Sequence, residues 1–154
     1  MTPALAFSRS PWFSLDSTSG GFLGEKGARI IPVGVNYWPA STGVTMWREW
    51  PETEIQRDLD LVRSLGLNCV RFFLRWEDFE PRERAYDQRA FRRLATLLRW
   101  HRERGLWAHP SLFVGWMSGG IFWPRWFRGR NLYADPVLRM RAAVLARRIS
   151  AILA

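Results

Sequence analysis

Three carboxylates sit within four residues of one another, at Glu77, Asp78 and Glu80. Paired carboxylates are the machinery of glycoside hydrolysis, about 5–5.5 Å apart for retention and 6.5–9.5 Å for inversion. Adjacent side chains such as Glu77 and Asp78 point apart, and the stretch is rich in Pro and Arg (Arg75, Pro81, Arg82, Arg84). The expected reading is therefore a solvated loop of surface ion pairs, and the chain offers no convincing acid/base pair. Arg71 is a different kind of signal. It interrupts the apolar run Leu67-Asn-Cys-Val-Arg-Phe-Phe-Leu74, and a guanidinium inside a strand needs an anion. That anion is either a structural partner or an active-site carboxylate which Arg71 keeps ionised and oriented; the second is the favoured reading. Trp residues are the third signal. Seven of the ten, Trp38, Trp47, Trp50, Trp76, Trp116, Trp123 and Trp126, lie in segments that follow apolar runs. Any one of them can pack over a rim. Together they suit stacking on sugar rings, being flat, apolar and equipped with a polar handle. His109 either lines the same site or sits in the core. The core is the expected place, since no second His is near. Cys69, beside Arg71, reads as a small core residue.

These groups must be positioned by a repeating scaffold. Residues 30–35, 67–74 and 106–114 are apolar, β-rich runs of the buried-strand type. Between and after them lie helical patterns. Ile55, Leu59, Val62 and Leu65 keep helical spacing after Pro51 and before Gly66. Asp87 can cap a second helix with Phe91, Leu94 and Leu98 on one face, ended by Gly105. Asp135-Pro136 starts a third. Strand starts at 30, 67 and 106 are spaced by 37 and 39 residues. That spacing predicts the α/β class, with parallel strands and right-handed crossovers. Three βα units fall short of the roughly 250 residues of an eight-fold barrel. The expectation is the N-terminal portion of a larger protein over 30–154, preceded by an irregular segment, 1–29, with a hairpin across 13–15 and 21–23. The competing expectation is a complete three-stranded α/β miniature.

Composition removes several classes. The net charge is +9 over 154 residues, but 22 of the 23 basic residues are Arg, with Lys26 the exception. So lopsided a ratio reads as codon bias rather than selection for phosphate, and no nucleic-acid partner is expected. One Cys and two His exclude an internal disulfide and leave little for a metal centre, so none is expected. Residues 105–124 carry no formal charge, yet Pro110 and Gly115, Gly119 and Gly120 break them. They read as a strand plus a glycine-rich loop, with no membrane span. No apolar stretch of signal-peptide length opens the chain, so the default location is cytoplasmic. No strand is followed by a phosphate-cradling glycine motif.

Four motifs together resemble one family. They are Gly34-Val-Asn-Tyr-Trp38; Gly66-Leu-Asn-Cys-Val-Arg71; Trp76-Glu-Asp-Phe-Glu-Pro81 with Tyr86-Asp87; and Met117-Ser-Gly119 with Pro124-Arg-Trp126. Their order is similar to the opening of the retaining glycoside hydrolases of the large β/α-barrel clan, especially the family 5 cellulase and mannanase group. The resemblance covers about residues 22–154, on the N-terminal side of that barrel. It implies a partial (β/α)8 barrel from an enzyme that cleaves a β-linked sugar such as mannan or cellulose. In that family an acid/base Glu follows an Asn at the end of strand 4 and a nucleophile Glu ends strand 7; neither position lies in this chain. Arg71 matches the strand-2 Arg that supports the nucleophile. Asn36, Tyr37 and Trp38 match the substrate-facing end of strand 1, and Trp76, Glu77, His109, Trp116 and Trp123 complete the expected sugar-facing set. Two departures stand out: Trp116 occupies the region where many members carry a His, and Arg84-Ala85 replaces a common Gly. The resemblance implies a carbohydrate partner, no metal or organic cofactor, no activity from the chain alone, and self-association through open barrel edges. The alternatives are a non-catalytic carbohydrate-binding remnant and an Arg-rich nucleic-acid binder.

Overall fold

The computed structural model describes residues 14–24 and 27–153. Its first sheet is antiparallel and small. Strand β1 (Ser14–Leu15) pairs with β2 (Phe22–Leu23), and β2 with β3 (Arg29–Ile30). The predicted hairpin is therefore present; its residue 13 lies outside the described residues. Asp16 shapes the turn by accepting the Thr18 N–H at 2.9 Å, an Asx turn.

The predicted first strand, 30–35, is split. Ile30 belongs to the antiparallel sheet, while β4 (Gly34–Asn36) opens a second, parallel one. Pro32 stands between them, and proline has no N–H to give to a ladder. The Asn68 side chain replaces the missing pairing. Its Oδ1 accepts the Val33 N–H at 2.7 Å and its Nδ2 donates to the Ile31 carbonyl at 2.9 Å.

The parallel sheet has the order β4–β5–β6, with β5 at Cys69–Leu74 and β6 at Trp107–Leu112. Helix α2 (Glu52–Ser64) crosses from β4 to β5, and α4 (Gln88–Glu103) from β5 to β6. Helix α5 (Pro136–Leu153) follows. Asp87 caps α4 by accepting the Arg89 N–H at 2.8 Å, and Asp135 takes the Val137 and Leu138 N–H groups at 2.8 and 3.1 Å. Two single-turn helices sit at the strand ends: α1 (Met46–Glu49) after β4 and α3 (Trp76–Phe79) after β5. A hairpin, β7 (Trp116–Met117) with β8 (Gly120–Ile121), follows β6.

Strand alternation decides where the core lies. Val70, Phe72 and Leu74 are buried together with Ile55 and Leu59 of α2, Leu94 and Leu97 of α4, and Leu138 and Leu145 of α5. Burying each such side chain contributes about 1.5–3 kcal/mol. The opposite face, carrying Asn36, Arg71 and His109, is exposed. Gly34 admits β5 to close range, because a Cβ there would stand 1.8 Å from the Cys69 carbonyl oxygen.

Candidate functional site

In βα folds chemistry gathers at the C-terminal strand ends. The parallel register places Asn36, the last residue of β4, opposite Arg71, and Arg71 opposite His109, each of these two lying three residues before its strand ends. One amide, one guanidinium and one imidazole thus form a row across three strands, on one face, at strand spacings of about 4.8 Å. Arg71 Nε donates to Ser111 Oγ at 2.7 Å, and its guanidinium lies 5.0 Å over the Phe73 ring. No described carboxylate pairs with it, so the anion expected from its strand position is not supplied here. His109 is exposed on this face rather than buried in the core. The reason is alternation: residues 71 and 109 are register partners and must share a face.

Alternation also separates residues that the sequence reading grouped. Tyr37 turns to the helix side, is buried, and donates its hydroxyl to Asp58 Oδ2 at 3.1 Å. Burial, with the Asp58 carboxylate beside it, pushes its phenol far above the usual range. Trp38 is half-buried, stacked on Phe73 with centroids 5.3 Å apart. Trp76 is 1% exposed, so it is a core residue and not a free stacking surface. Its ring meets Trp126 and Phe127 edge-on at 5.8 and 5.0 Å. Trp123 stacks on Phe127 at 5.6 Å, while Trp116 stands out in solvent.

The three carboxylates are not a solvated loop. One turn of helix α3 draws Asp78 and Glu80 inward, and both are buried. Asp78 accepts from Arg48 Nε at 2.6 Å and faces Arg75 at 3.4 Å. Burial dominates its environment and pushes its carboxyl up from the ordinary range. Glu77 pairs with Arg48 at 3.2 Å and Arg75 at 3.5 Å, away from the Arg71 row. Glu80 accepts from Trp76 Nε1 at 2.9 Å, the Arg84 N–H at 2.8 Å and Arg141 Nε at 3.0 Å. Its carbonyl accepts from Trp126 Nε1 at 2.9 Å. Trp76 and Arg84 each lie four residues from Glu80, within reach of local spacing, whereas Arg141 lies 61 residues away.

The row therefore offers hydrogen-bonding and positive groups and no carboxylate of its own. It can bind hydroxyls and hold an anion in place, and it does not itself carry the pair of carboxylates that glycoside hydrolysis uses. Among the described residues no group of three His, Cys, Asp or Glu is placed to hold a metal ion. No described helix is long and apolar enough to cross a membrane.

No protein-family model matches the sequence, and no curated protein does. Solved structures do. An exo-β-1,4-mannosidase from Opitutaceae bacterium strain TAV5 is 59% identical over 91% of this chain, with a TM-score of 0.87. A GH5_18 variant from Streptomyces cattleya, in complex with Manβ1-4GlcNAc, is 34% identical over 79%, with a TM-score of 0.74. A GH5_18 protein from Bifidobacterium longum subsp. longum is 26% identical over 71%, with a TM-score of 0.66. The chain spans only 25%, 30% and 27% of these three proteins. With its sheet of three parallel strands and these likenesses, the chain is glycoside hydrolase family 5-like and corresponds to part of a (β/α)8 barrel.

Proposed function

We propose that the chain forms three βα units of a β-mannoside-cleaving glycoside hydrolase and is inactive without the rest of the barrel. The observation that carries this reading is the in-register row Asn36–Arg71–His109 across the three parallel strands of a chain 59% identical to an exo-β-1,4-mannosidase. In this reading Arg71 is a positioning residue. It leaves Ser111 to hold a nucleophile carboxylate contributed by a later strand, keeping it ionised. Asn36 and His109 bind sugar hydroxyls, and Trp38, Trp116 and Trp123 supply ring-stacking surfaces. Tyr37 and Trp76 are scaffold, and Glu77 orders the rim through Arg48 and Arg75. Edge strands β4 and β6 meet neighbouring barrel strands, or, in the chain alone, a second copy.

The test is a chimera in which residues 30–153 replace the matching segment of the Opitutaceae enzyme. The chimera is expected to cleave β-1,4-mannobiose, while the 154-residue chain alone does not. Arg71→Lys in the chimera is expected to lower kcat about 10²-fold with little change in KM, the scale of a misplaced reacting group. Turnover by the isolated chain, abolished by Glu77→Gln, would put the chemistry on the carboxylates of α3 and reject this reading.

A further inference from the structure

Arg71 and His109 lie three residues before their strands end, yet the charge of Arg71 does not stop there. Side chains two residues further on share the same face, and in that next row Phe73 stands opposite Ser111. Arg71 Nε donates to the Ser111 hydroxyl at 2.7 Å, and the guanidinium carbon lies 5.0 Å from the centre of the Phe73 ring, over its face. The guanidinium therefore leans forward by one row, to residues that stand immediately before the last residue of β5 and of β6.

Phe73 is itself held from several sides. It is only 8% exposed, because Trp38 stacks on its ring with centroids 5.3 Å apart and planes at 28°. Its backbone is fixed as well. Strand β4 ends at Asn36, opposite Arg71, so the Phe73 carbonyl has no β4 partner. The Trp47 indole N–H takes that place and donates to it at 2.7 Å. Trp47 is buried, and its ring meets Phe72 and Phe79 at 6.3 and 5.2 Å. On the other edge Phe73 is paired with β6. All of these contacts lie within the three βα units and need nothing from the remainder of a barrel.

We propose that Phe73 is a positioning residue of the reaction: its ring is the shelf that fixes where the Arg71 guanidinium stands, and Ser111 is an acceptor that the guanidinium can give up. The proposal rests on the glycosidase reading for what Arg71 holds, a carboxylate from a later strand. The two contacts act differently. A hydrogen bond fixes a direction and is lost when Nε turns to another acceptor. A ring face attracts the cation through its quadrupole and sets only a height above the ring, so the guanidinium can turn in its plane and stay. The face also takes none of the five N–H groups of the fork, which remain for a planar carboxylate; a carboxylate in the place of Phe73 would compete for them. An Arg tethered by Ser111 alone would regain its rotamer freedom at the moment it changed partner. On the shelf it does not.

The experiment places phenylalanine carrying one, two and three ring fluorines at position 73, in the 154-residue chain and in the chimera. Fluorine draws charge from the ring face and hardly alters its size, so packing is kept while the attraction for the cation falls in steps. In the chain, NMR is expected to show the Arg71 Nε–H exchanging with water faster at each step. Ser111→Ala is expected to preserve the upfield shift that the unmodified Phe73 ring imposes on the Arg71 side chain. In the chimera, kcat is expected to fall in steps, by about three- to thirtyfold in all, with KM little changed. The acid limb of kcat/KM should move to higher pH, since a guanidinium off its shelf no longer keeps the carboxylate ionised. Exchange that fluorination leaves unchanged, or an Arg71 that loses its ring shift in Ser111→Ala, would overturn the shelf whether or not the chimera turns over. An active chimera whose kcat and acid limb ignore fluorination would overturn the positioning role alone. A chimera inactive with unmodified Phe73, while both NMR results hold in the chain, would refute the function reading and leave the shelf standing.

Discussion

Replacing Glu80 by alanine removes the anion at the centre of a buried network. Glu80 is 0% exposed and Arg141 6%. The substitution leaves the Arg141 guanidinium with only the Tyr86 hydroxyl, at 2.5 Å, and it strips Trp76 Nε1 and the Arg84 N–H of their acceptor. Breaking a buried pair from one side costs about 3–5 kcal/mol. Each neutral donor left unpaired adds about 1–3 kcal/mol, with heavy overlap between these terms. About 4 kcal/mol is the expected net loss, against a total stability of about 5–15 kcal/mol for a domain. At roughly 2–4 °C per kcal/mol for a chain of this size, the melting temperature should fall by about 10 °C. Glu80→Gln keeps an acceptor oxygen and loses the charge, so about half that loss is expected. The pair Glu80→Leu with Arg141→Met removes both charges. It should be at least 2 kcal/mol more stable than the sum of its single changes predicts, since replacing both partners escapes the uncompensated charge. Urea unfolding followed by Trp fluorescence measures all of these. A loss below about 1 kcal/mol for Glu80→Ala, or an additive double variant, would show that the Glu80 network contributes no more than a surface ion pair.

Three further outcomes are expected. His101 is 1% exposed; its Nδ1 hydrogen-bonds the Leu97 carbonyl at 2.7 Å, Nε2 has no partner, and burial lowers its pKa to about 4. Because the folded value lies below the unfolded 6.5, this stability is fully present above pH 6.5 and is lost as pH falls toward 4, by about 3 kcal/mol. Melting curves from pH 7 to 4 should show that loss, and His101→Leu should flatten it; Asp78, shifted upward by burial, works in the opposite sense. Gly34→Ala drives a methyl group into the Cys69 carbonyl and should cost more than about 3 kcal/mol or prevent folding. Gly66→Ala, with open space but φ +77°, should cost only about 1 kcal/mol; equal losses at the two sites would refute the strand contact. Arg71→Met removes an exposed guanidinium bound to one hydroxyl, so the isolated chain should change by less than about 1 kcal/mol in urea unfolding. A loss of several kcal/mol would reveal a partner that the row does not contain.

The parallel scaffold was readable because its signals are local and periodic. Gly66 and Gly105 end helices, Asp87 and Asp135 start them, and the apolar runs repeat at nearly constant spacing. Alternation along the same run put Arg71 on the face opposite Val70 and Phe72, where an anion partner was expected. It also carried the means to separate Asn36 from Tyr37 and to pair Arg71 with His109, but that needed the register, which depends on where β4 begins. Pro32 moved that beginning, and its presence was the available sign. The Ser118-Gly119 dipeptide, flanked by apolar pairs, was likewise a readable hairpin signal. The burial of Asp78 and Glu80 was not readable. An acidic, Arg-rich stretch has the same composition whether it is hydrated or folded inward, and the distant partners that receive the two carboxylates, Arg48 for Asp78 and Arg141 for Glu80, stand on other helices.

That separation imposes an order in time on a chain that is made from one end. Arg141 follows Glu80 by 61 residues, which at a synthesis rate of about 5–20 residues per second is a delay of roughly 3–12 s. During that interval β4, β5, α2 and α4 can already be paired and packed, while Glu80 has no guanidinium to receive it and must keep its water. The second rim segment therefore stays unlatched until α5 emerges and lies down. Because Glu80 also anchors Trp76 and, through its carbonyl, Trp126, this part of the rim acquires its final shape only once α5 is in place, after β4 and β5 have paired beneath it.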